Sequence, residues 1–245
     1  MTGPLRVTPA PAHPTPSAPA PATNSPLARP SLSHSSTPVK RIHVTDHPIV
    51  QHALTVLRSK HTLPPHFRTV SNQLLALLVL EATRTLPLQD EIVATAAGAQ
   101  PGRVLAKPVV FLCLARHGLG LAHNMVEFFP NLQVGTISLE PGKDGQPPQP
   151  RLHLVNAPAL SDAHVILFDP IVSKGLSLGV ALNLLRRSGA TDITLVSFVV
   201  AYTGPGDFQS AFPDLTIWAA AIDEDPDSKS GLKAGFGSFA ERLYG

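Results

Sequence analysis

The chain has 245 residues, of which 43% are apolar, and its formal net charge is +2. This length allows one large domain, or one domain with a tail, and the apolar content is enough for a substantial core. Lysine and arginine form no dense cluster, and no apolar run reaches the roughly 18 residues of a membrane-spanning helix. We therefore expect neither nucleic acid nor a membrane as a partner.

Residues 1–40 are predicted to form a disordered tail. They are rich in Pro, Ala, Ser and Thr and poor in large apolar side chains, so the segment cannot bury enough surface to offset the entropy lost on ordering. Its lack of acidic residues also fits an organelle transit peptide, but its proline density argues against the amphipathic helix of such peptides. We therefore predict a flexible tail over 1–40 and a folded domain over 41–245.

Cys113 is the single cysteine and lies inside an apolar run. The chain therefore cannot form an internal disulfide, and a reducing compartment suits it. The N-terminus also lacks the apolar middle section of a secretory signal. We expect a cytoplasmic protein in which Cys113 is a small core residue rather than a nucleophile.

From His47 onward, hydrophobic periodicity predicts helices that alternate with apolar strands. The predicted helices are His47–Lys60, His66–Thr83, His117–Phe128, Leu176–Ser188 and Pro205–Phe212. The predicted strands are Val109–Ala115, Gln133–Leu139, Val165–Phe168, Ile193–Ala201 and Leu215–Ile222. Residues 85–106 show no clear pattern, and 140–151 are predicted to form a Pro/Gly-rich loop. Together these elements indicate an α/β fold with a mainly parallel sheet and helices on both of its faces.

A candidate site follows the strand that ends at Phe168, because ligands of open α/β sheets bind beyond the carboxyl ends of the strands. The next helix begins there, and its free backbone N–H groups and positive dipole end can hold a phosphate. Gly175 allows the backbone to approach a ligand closely, and Asp169 can accept hydrogen bonds from sugar hydroxyls. A capped turn with a chance glycine would look similar. The candidate residues are Asp169, Pro170, Ile171, Val172, Ser173, Lys174, Gly175, Leu176 and Ser177.

Two further segments could bind a ligand. Arg116 follows the strand that ends at Ala115, and its planar guanidinium could pair with an anion, or it could simply pack over the strand end. The glycines of the C-terminal tail, Ser230–Arg242, could let the backbone fold around a flat ligand. A free, flexible C-terminus is the alternative, which Phe236 and Phe239 make less attractive.

The sequence lacks the common nucleotide and metal motifs. There is no G-x-G-x-x-G, no Walker-type G-K-[ST], no Cys/His spacing for zinc and no G-x-S-x-G. These patterns would have indicated a dinucleotide site, a P-loop, a zinc site or a serine hydrolase. We predict no metal-ligating residue and assign no catalytic residue.

Five segments, taken in order, resemble uracil phosphoribosyltransferase over about residues 43–245. They are His47–Arg58, Phe67–Thr83, Leu114–Gly120, Asp169–Ser177 and the tail from Ile222 to Gly245. The Glu-Ala-Thr ending of the second segment is distinctive. The third resembles the Leu-Arg-Ala-Gly-Leu-Gly turn of the family, and the fourth resembles its phosphoribosyl-diphosphate loop. Ordered matches across one chain are far more specific than any single motif.

The resemblance implies a glycosyltransferase of pyrimidine salvage, which makes UMP and diphosphate from uracil and 5-phosphoribosyl 1-diphosphate (PRPP). It implies a nucleotide-binding loop at Asp169–Ser177, with Arg116 at the diphosphate and Ser238 toward the sugar and diphosphate. It further implies that Mg²⁺ enters with PRPP and that the protein is a homo-oligomer. GTP is a candidate effector, because some relatives are regulated by it. The implied uracil-binding residues are Leu232, Gly237, Ser238 and Phe239.

The chain also departs from the family pattern. Lys174 and Leu176 replace a threonine and a glycine, Glu140–Asp144 replaces a stretch with a second diphosphate-binding arginine, and Ser238 replaces a carboxylate. Losing one charged contact at a buried anion site costs about 2–4 kcal/mol, or roughly 10²–10³ in rate. Two alternatives therefore stand beside the first hypothesis. One is a catalytically silent relative that binds a nucleotide or a partner protein, and the other is a phosphoribosyltransferase for a different base.

Overall fold

The computed structural model describes residues 42–129, 131–140, 149–154, 157–173, 175–202, 211–224 and 235–245, without the side chains of 115–119, 123, 202 and 224. Its helices are α1 (Pro48–Arg58), α2 (Pro64–Ala82), α3 (Ala115–Phe128), α4 (Leu176–Arg187) and α5 (Phe239–Tyr244). Its strands are β1 (Ile42–Val44), β2 (Leu88–Thr95), β3 (Gly98–Leu105), β4 (Val109–Leu114), β5 (Gln133–Glu140), β6 (Gln149–His153), β7 (His164–Phe168), β8 (Ile171–Val172), β9 (Asp192–Tyr202) and β10 (Thr216–Glu224).

An eight-stranded sheet organises the described residues. Its strand order is β1-β10-β9-β7-β4-β5-β6, and the short strand β8 pairs with β9. All of these pairs are parallel except β5 with β6. The parallel strands therefore end along one edge, which we call the carboxyl edge.

The central strands are apolar along their whole length because both faces of the sheet are covered. Every residue of β4 and β7 is buried. Apolar side chains of α1, α2, α3 and α5 cover one face, and those of α4 cover the other. The buried stripe of α4 consists of Leu178, Ala181, Leu182 and Leu185, as its periodicity predicts. The predicted α/β class, with a mainly parallel sheet, is confirmed.

Two parts of the sequence fold differently from their predicted patterns. The unassigned stretch 85–106 contains an antiparallel hairpin of β2 and β3, which forms a separate two-stranded sheet. Residues 149–151, expected in a loop, begin β6 and pair with the end of β5. Periodicity misses β6 because its burial alternates only weakly and it carries Pro150. The tail over 1–40 and most of the helix predicted at Pro205–Phe212 lie outside the described residues.

No helix within the described ranges is both long enough and apolar enough to cross a membrane.

A row of phenylalanine rings links the C-terminal tail to the sheet. Phe111, Phe168 and Phe198, from β4, β7 and β9, stack or tilt against one another with ring centroids 5.3–6.1 Å apart. Phe239 of α5 continues the row, 5.9 Å from Phe198 and 5.2 Å from Phe67 of α2. Such aromatic contacts each contribute about 0.5–1.5 kcal/mol beyond the area they bury. The apolar side chains of α5 are therefore part of the core.

Arg242 anchors the same helix from its other side. Its guanidinium donates to the backbone carbonyls of Leu57, Ser59 and Thr62 at the end of α1, and to that of Phe236. It also lies over the ring of Phe67, 4.3 Å from the centroid. Burial lowers the pKa of this guanidinium. Three of these carbonyls belong to the end of α1 and the turn that follows it, so Arg242 joins α5 to that part of the chain.

We expect Arg242→Ala to lower the free energy of unfolding by about 2–4 kcal/mol, because hydrogen bonds from a charged group contribute more than neutral ones. Denaturant unfolding measures this change. Arg186→Ala is the matched control, since Arg186 is exposed near the end of α4. Equal destabilisation by the two substitutions would contradict the anchoring role.

Candidate active site

The register of the sheet places two of the candidate segments next to each other. Cys113 of β4 pairs with Phe168 of β7, so the turn into α3 and the loop after β7 leave neighbouring strands at the same level. Neighbouring strands lie about 4.8 Å apart. The backbone of Arg116, in the first turn of α3, therefore lies at the same edge as Asp169, while its side chain is outside the description.

The first half of the loop after β7 is tied firmly to β9. The carbonyl of Pro170 accepts hydrogen bonds from the N–H groups of Phe198 and Val199, at 3.1 and 3.2 Å. Strand β8 then pairs with Val199 and Val200. Because both contacts use backbone groups, the backbone path of this part of the loop does not depend on what its side chains bind.

The second half of the loop delivers the start of α4 to the carboxyl edge. Gly175 is the N-cap residue and has φ +68°, a left-handed conformation that favours glycine. Its carbonyl accepts from the N–H of Gly179 at 2.7 Å, but glycine offers no side chain to cap the helix. The first N–H groups of α4 are therefore available to an anion. We call this helix start the anion site.

Leu176 and Ser177 begin α4 with their side chains directed outward. Leu176 is 76% exposed, so it does not fill the anion site, and Ser177 is exposed as well. Ser173 is partly buried. Lys174 lies outside the described residues. The described loop residues, 169–173 and 175–177, thus lie together at one edge, with the side chains of Leu176 and Ser177 exposed.

Asp169 is the buried carboxylate of this edge. It is 7% exposed, and its backbone N–H donates to the carbonyl of Val196. Burial raises the pKa of its carboxyl to about 7, against which the N–H of Ile171 acts weakly by donating to the ionised form. A carboxyl at this pKa exchanges its proton near neutral pH, and donors from a ligand would favour its charged state.

The predicted uracil-binding residues of the tail differ in their exposure and contacts. Ser238 is the N-cap of α5, and its hydroxyl accepts from the N–H of Glu241 at 3.4 Å. The ring of Phe239 is buried in the core, so only its backbone can face a ligand. Gly237 is exposed and has φ +64°. Leu232 lies outside the described residues.

An ion pair that the sequence did not reveal fixes the tail at the carboxyl edge. Nη2 of Arg58, the last residue of α1, lies 2.6 Å from Oδ2 of Asp223 near the end of β10. Gly235 lies against the stem of the same arginine. Both partners belong to segments that resemble the family, but they are 165 positions apart, and nothing in a single sequence pairs such residues.

The described residues contain no group of three or more His, Cys, Asp or Glu side chains that could hold a metal ion.

The comparisons with known proteins agree on one family. The family model for uracil phosphoribosyltransferase matches residues 44–245. The uracil phosphoribosyltransferase of Pediococcus pentosaceus is 32% identical over 207 residues, covering 84% of this chain and 98% of that protein. The one from Halalkalibacterium halodurans is 33% identical over 209 residues, covering 84% and 99%.

This chain belongs to the uracil phosphoribosyltransferase family. A solved structure, the AQ2163 protein from Aquifex aeolicus, matches its fold with a TM-score of 0.71 at 24% identity, covering 83% of this chain and 97% of that one. At the end of β5, Oε1 of Glu140 forms an ion pair with Nε of Arg151 of β6, at 2.9 Å. The predicted membership is confirmed.

The raised pKa of Asp169 predicts how stability changes with pH. The ordinary value of 3.8 rises to about 7 in the fold, so the folded state holds this proton more tightly than the unfolded state does. Stability is therefore lost as the pH rises from about 4 to about 7, by up to about 4 kcal/mol. Asp169→Asn removes this loss. We expect the variant to be more stable than the natural protein at pH 8 and little different near pH 4.

Urea unfolding at pH 4, 6 and 8 measures this difference. Asp46→Asn provides the control, because Asp46 is exposed in the segment between β1 and α1. A stability difference for Asp169→Asn that is the same at all three pH values would contradict the assignment.

Proposed function

We propose that this chain transfers the phosphoribosyl group of PRPP to uracil, giving UMP and diphosphate. The observation that carries the proposal is the anion site at the start of α4 beside the buried Asp169, in a chain of the uracil phosphoribosyltransferase family. An uncapped helix start suits a phosphate, and a buried carboxylate suits ribose hydroxyls. The same edge receives the turn that contains Arg116.

The reaction exchanges one bond at C1 of the ribose for another. The bond from C1 to uracil N1 forms, the bond from C1 to the diphosphate oxygen breaks, and the N1 proton leaves to solvent. Diphosphate departs with the bonding electrons, so the protein's main task is to stabilise spread negative charge and to hold both substrates in line. We assign the 5′-phosphate to the anion site, the ribose hydroxyls to Asp169 and the diphosphate to Arg116.

Magnesium belongs to the substrate in this proposal. Mg²⁺ keeps most of its waters and is commonly bound through substrate phosphates and one or two carboxylates. A single carboxylate near the sugar, Asp169, fits that pattern better than a dedicated protein cage would. The ion would neutralise part of the diphosphate charge when bound with PRPP.

The base would lie at the tail. Uracil presents carbonyl acceptors and ring N–H donors on its edges, and backbone groups of Gly237, Ser238 and Phe239 can pair with both kinds. Anchoring by Phe239 and Arg242 limits the movement of this backbone. We also propose pyrimidine salvage in the cytoplasm as the setting, and GTP as an effector to be tested in the same assay.

A direct assay tests the activity. Purified protein with uracil, PRPP and Mg²⁺ should form UMP, and Arg116→Ala should lower kcat/KM by about 10²–10³ because a guanidinium no longer meets the departing diphosphate. Arg186→Ala is the matched control, with an expected change below twofold. Folded protein that binds PRPP without any turnover would contradict the enzyme and favour a silent nucleotide-binding relative.

The hairpin of β2 and β3 supports a homo-oligomer. Its strands are eight residues each and mostly exposed, and an isolated two-stranded hairpin is only marginally stable in water. One of its faces presents large apolar side chains, including Ile92 at 70% exposure. We propose that a second copy of the chain covers this face.

Light scattering after size exclusion tests the oligomer. We expect the natural protein to have at least the mass of a dimer, and Ile92→Glu to shift it toward the monomer because the substitution places a charge in a buried interface. Gln100→Glu adds the same charge on the opposite face of the hairpin and should leave the mass unchanged. A monomeric natural protein would contradict the proposal.

A further inference from the structure

Arg58 joins three separate parts of the chain. It is the last residue of α1, its Nη2 bonds Asp223 near the end of β10 at 2.6 Å, and its stem lies against Gly235 at the start of the tail. The contact with Asp223 is at the carboxyl edge, since Asp223 is paired with Ala201 two strands from Asp169. This arginine therefore connects the end of β10 with Gly235, two residues before the proposed base-binding backbone that begins at Gly237.

A side chain at Gly235 would crowd the stem of Arg58. A Cβ atom added at Gly235 would lie 3.3 Å from Cγ and 3.4 Å from Cδ of Arg58, and the backbone there has φ +75°. The arginine stem thus lies directly on the tail backbone, two residues before Gly237.

Stability alone does not account for this arginine. The side chains of Arg58 and Asp223 are 34% and 26% exposed, and ion pairs near the surface contribute little to folding. In addition, Nε of Arg58 is buried and has no hydrogen-bond partner among the described groups, which is unfavourable for folding. An ion pair that adds little stability and leaves a donor unpaired is better explained by the position in which it holds the tail backbone.

The tail is anchored on its far side independently of Arg58. Phe236 and Phe239 are buried in the core, and Arg242 bonds the end of α1. These contacts hold Phe236 and α5 against the core, and the contact of Arg58 with Gly235 is additional to them. Arg58 supplies a further constraint, because its guanidinium bonds Asp223 at the strand end while its aliphatic stem lies against Gly235.

We propose that Arg58 is a positioning residue for the nucleobase. Through its contacts with Asp223 and Gly235, it holds the tail backbone in the position in which that backbone forms hydrogen bonds with the base. The proposal rests on the proposed function. Arg58 acts on the base through the tail backbone, so its loss should weaken uracil binding and leave PRPP binding nearly intact. A purely structural role would affect both substrates alike.

The test compares Arg58→Gln, Asp223→Asn and the double variant in steady-state kinetics. We expect Arg58→Gln to raise the KM for uracil by roughly tenfold, with the KM for PRPP changed less than twofold. Asp223→Asn should act in the same direction, and the double variant should be no worse than Arg58→Gln, because the two residues act as one unit. Arg58→Lys keeps a charge and a long stem and should restore part of the uracil affinity.

Arg84→Gln is the matched control. Arg84 forms an ion pair of the same length with Glu81, 2.6 Å, at the end of α2, and it contacts no tail residue among the described pairs. This variant should leave both KM values unchanged. If Arg58→Gln raises the KM of both substrates equally, or of neither, the positioning role is wrong.

Hydrogen exchange separates this proposal from the proposed function. The amides of residues 235–238 should exchange roughly tenfold faster in Arg58→Gln than in Arg84→Gln or the natural protein. If the natural protein has no turnover with uracil, the proposed function fails, and the exchange rates still decide whether Arg58 holds the tail. Unchanged exchange at these amides overturns the positioning role in either case.

Discussion

The parallel pairing of β4, β7, β9 and β10 is the constraint on which the site depends. Strands that are parallel and covered on both faces must all end at one edge, and their loops must meet there. The pairing of Cys113 with Phe168 and of Phe168 with Val196 fixes the level of each loop to within a residue. A helix start, a buried carboxylate and the turn of Arg116 are brought together by this register.

The loop after β7 holds a buried carboxylate beside the proposed anion site, at a cost to the stability of the fold. Pro170 and β8 fasten the loop to β9 through backbone hydrogen bonds, so its position needs nothing from a ligand. Asp169 is then buried beside it with a pKa raised to about 7, which the fold would avoid with a neutral residue. A buried ionisable side chain with a shifted pKa is common where that side chain has a chemical role, even though its burial lowers stability.

The C-terminal tail is fixed by two arginines that act differently. Arg242 satisfies the carbonyls at the end of α1 and lies over Phe67, so it joins the tail to the core. The guanidinium of Arg58 pairs with Asp223 at the carboxyl edge, and its aliphatic stem lies against Gly235. The end of α1 therefore makes both contacts: its carbonyls accept from Arg242, and its last residue is Arg58. These contacts link the first helix of the domain to the last.

The sequence by itself determined the fold class, the order of the central elements and the family, because continuous apolar strands and amphipathic helices are local patterns and ordered motifs add up along the chain. The buried stripe of α4 followed directly from its period. The hairpin at 88–105 escaped prediction because its strands are exposed and lack a strong alternation. Even the resemblance assigned Ser238 and Phe239 to the base without showing that one caps a helix and the other lies in the core.

Only the tertiary structure decided which distant residues meet. Arg58 and Asp223, or Arg242 and the carbonyls of α1, are separated by more than 160 positions, and their contacts arise from helix packing on the sheet rather than from any local preference. The pKa of Asp169 likewise depends on burial, which neighbouring strands create. Local sequence fixes what an element is, while the surroundings that set its charges and contacts come from parts of the chain far away.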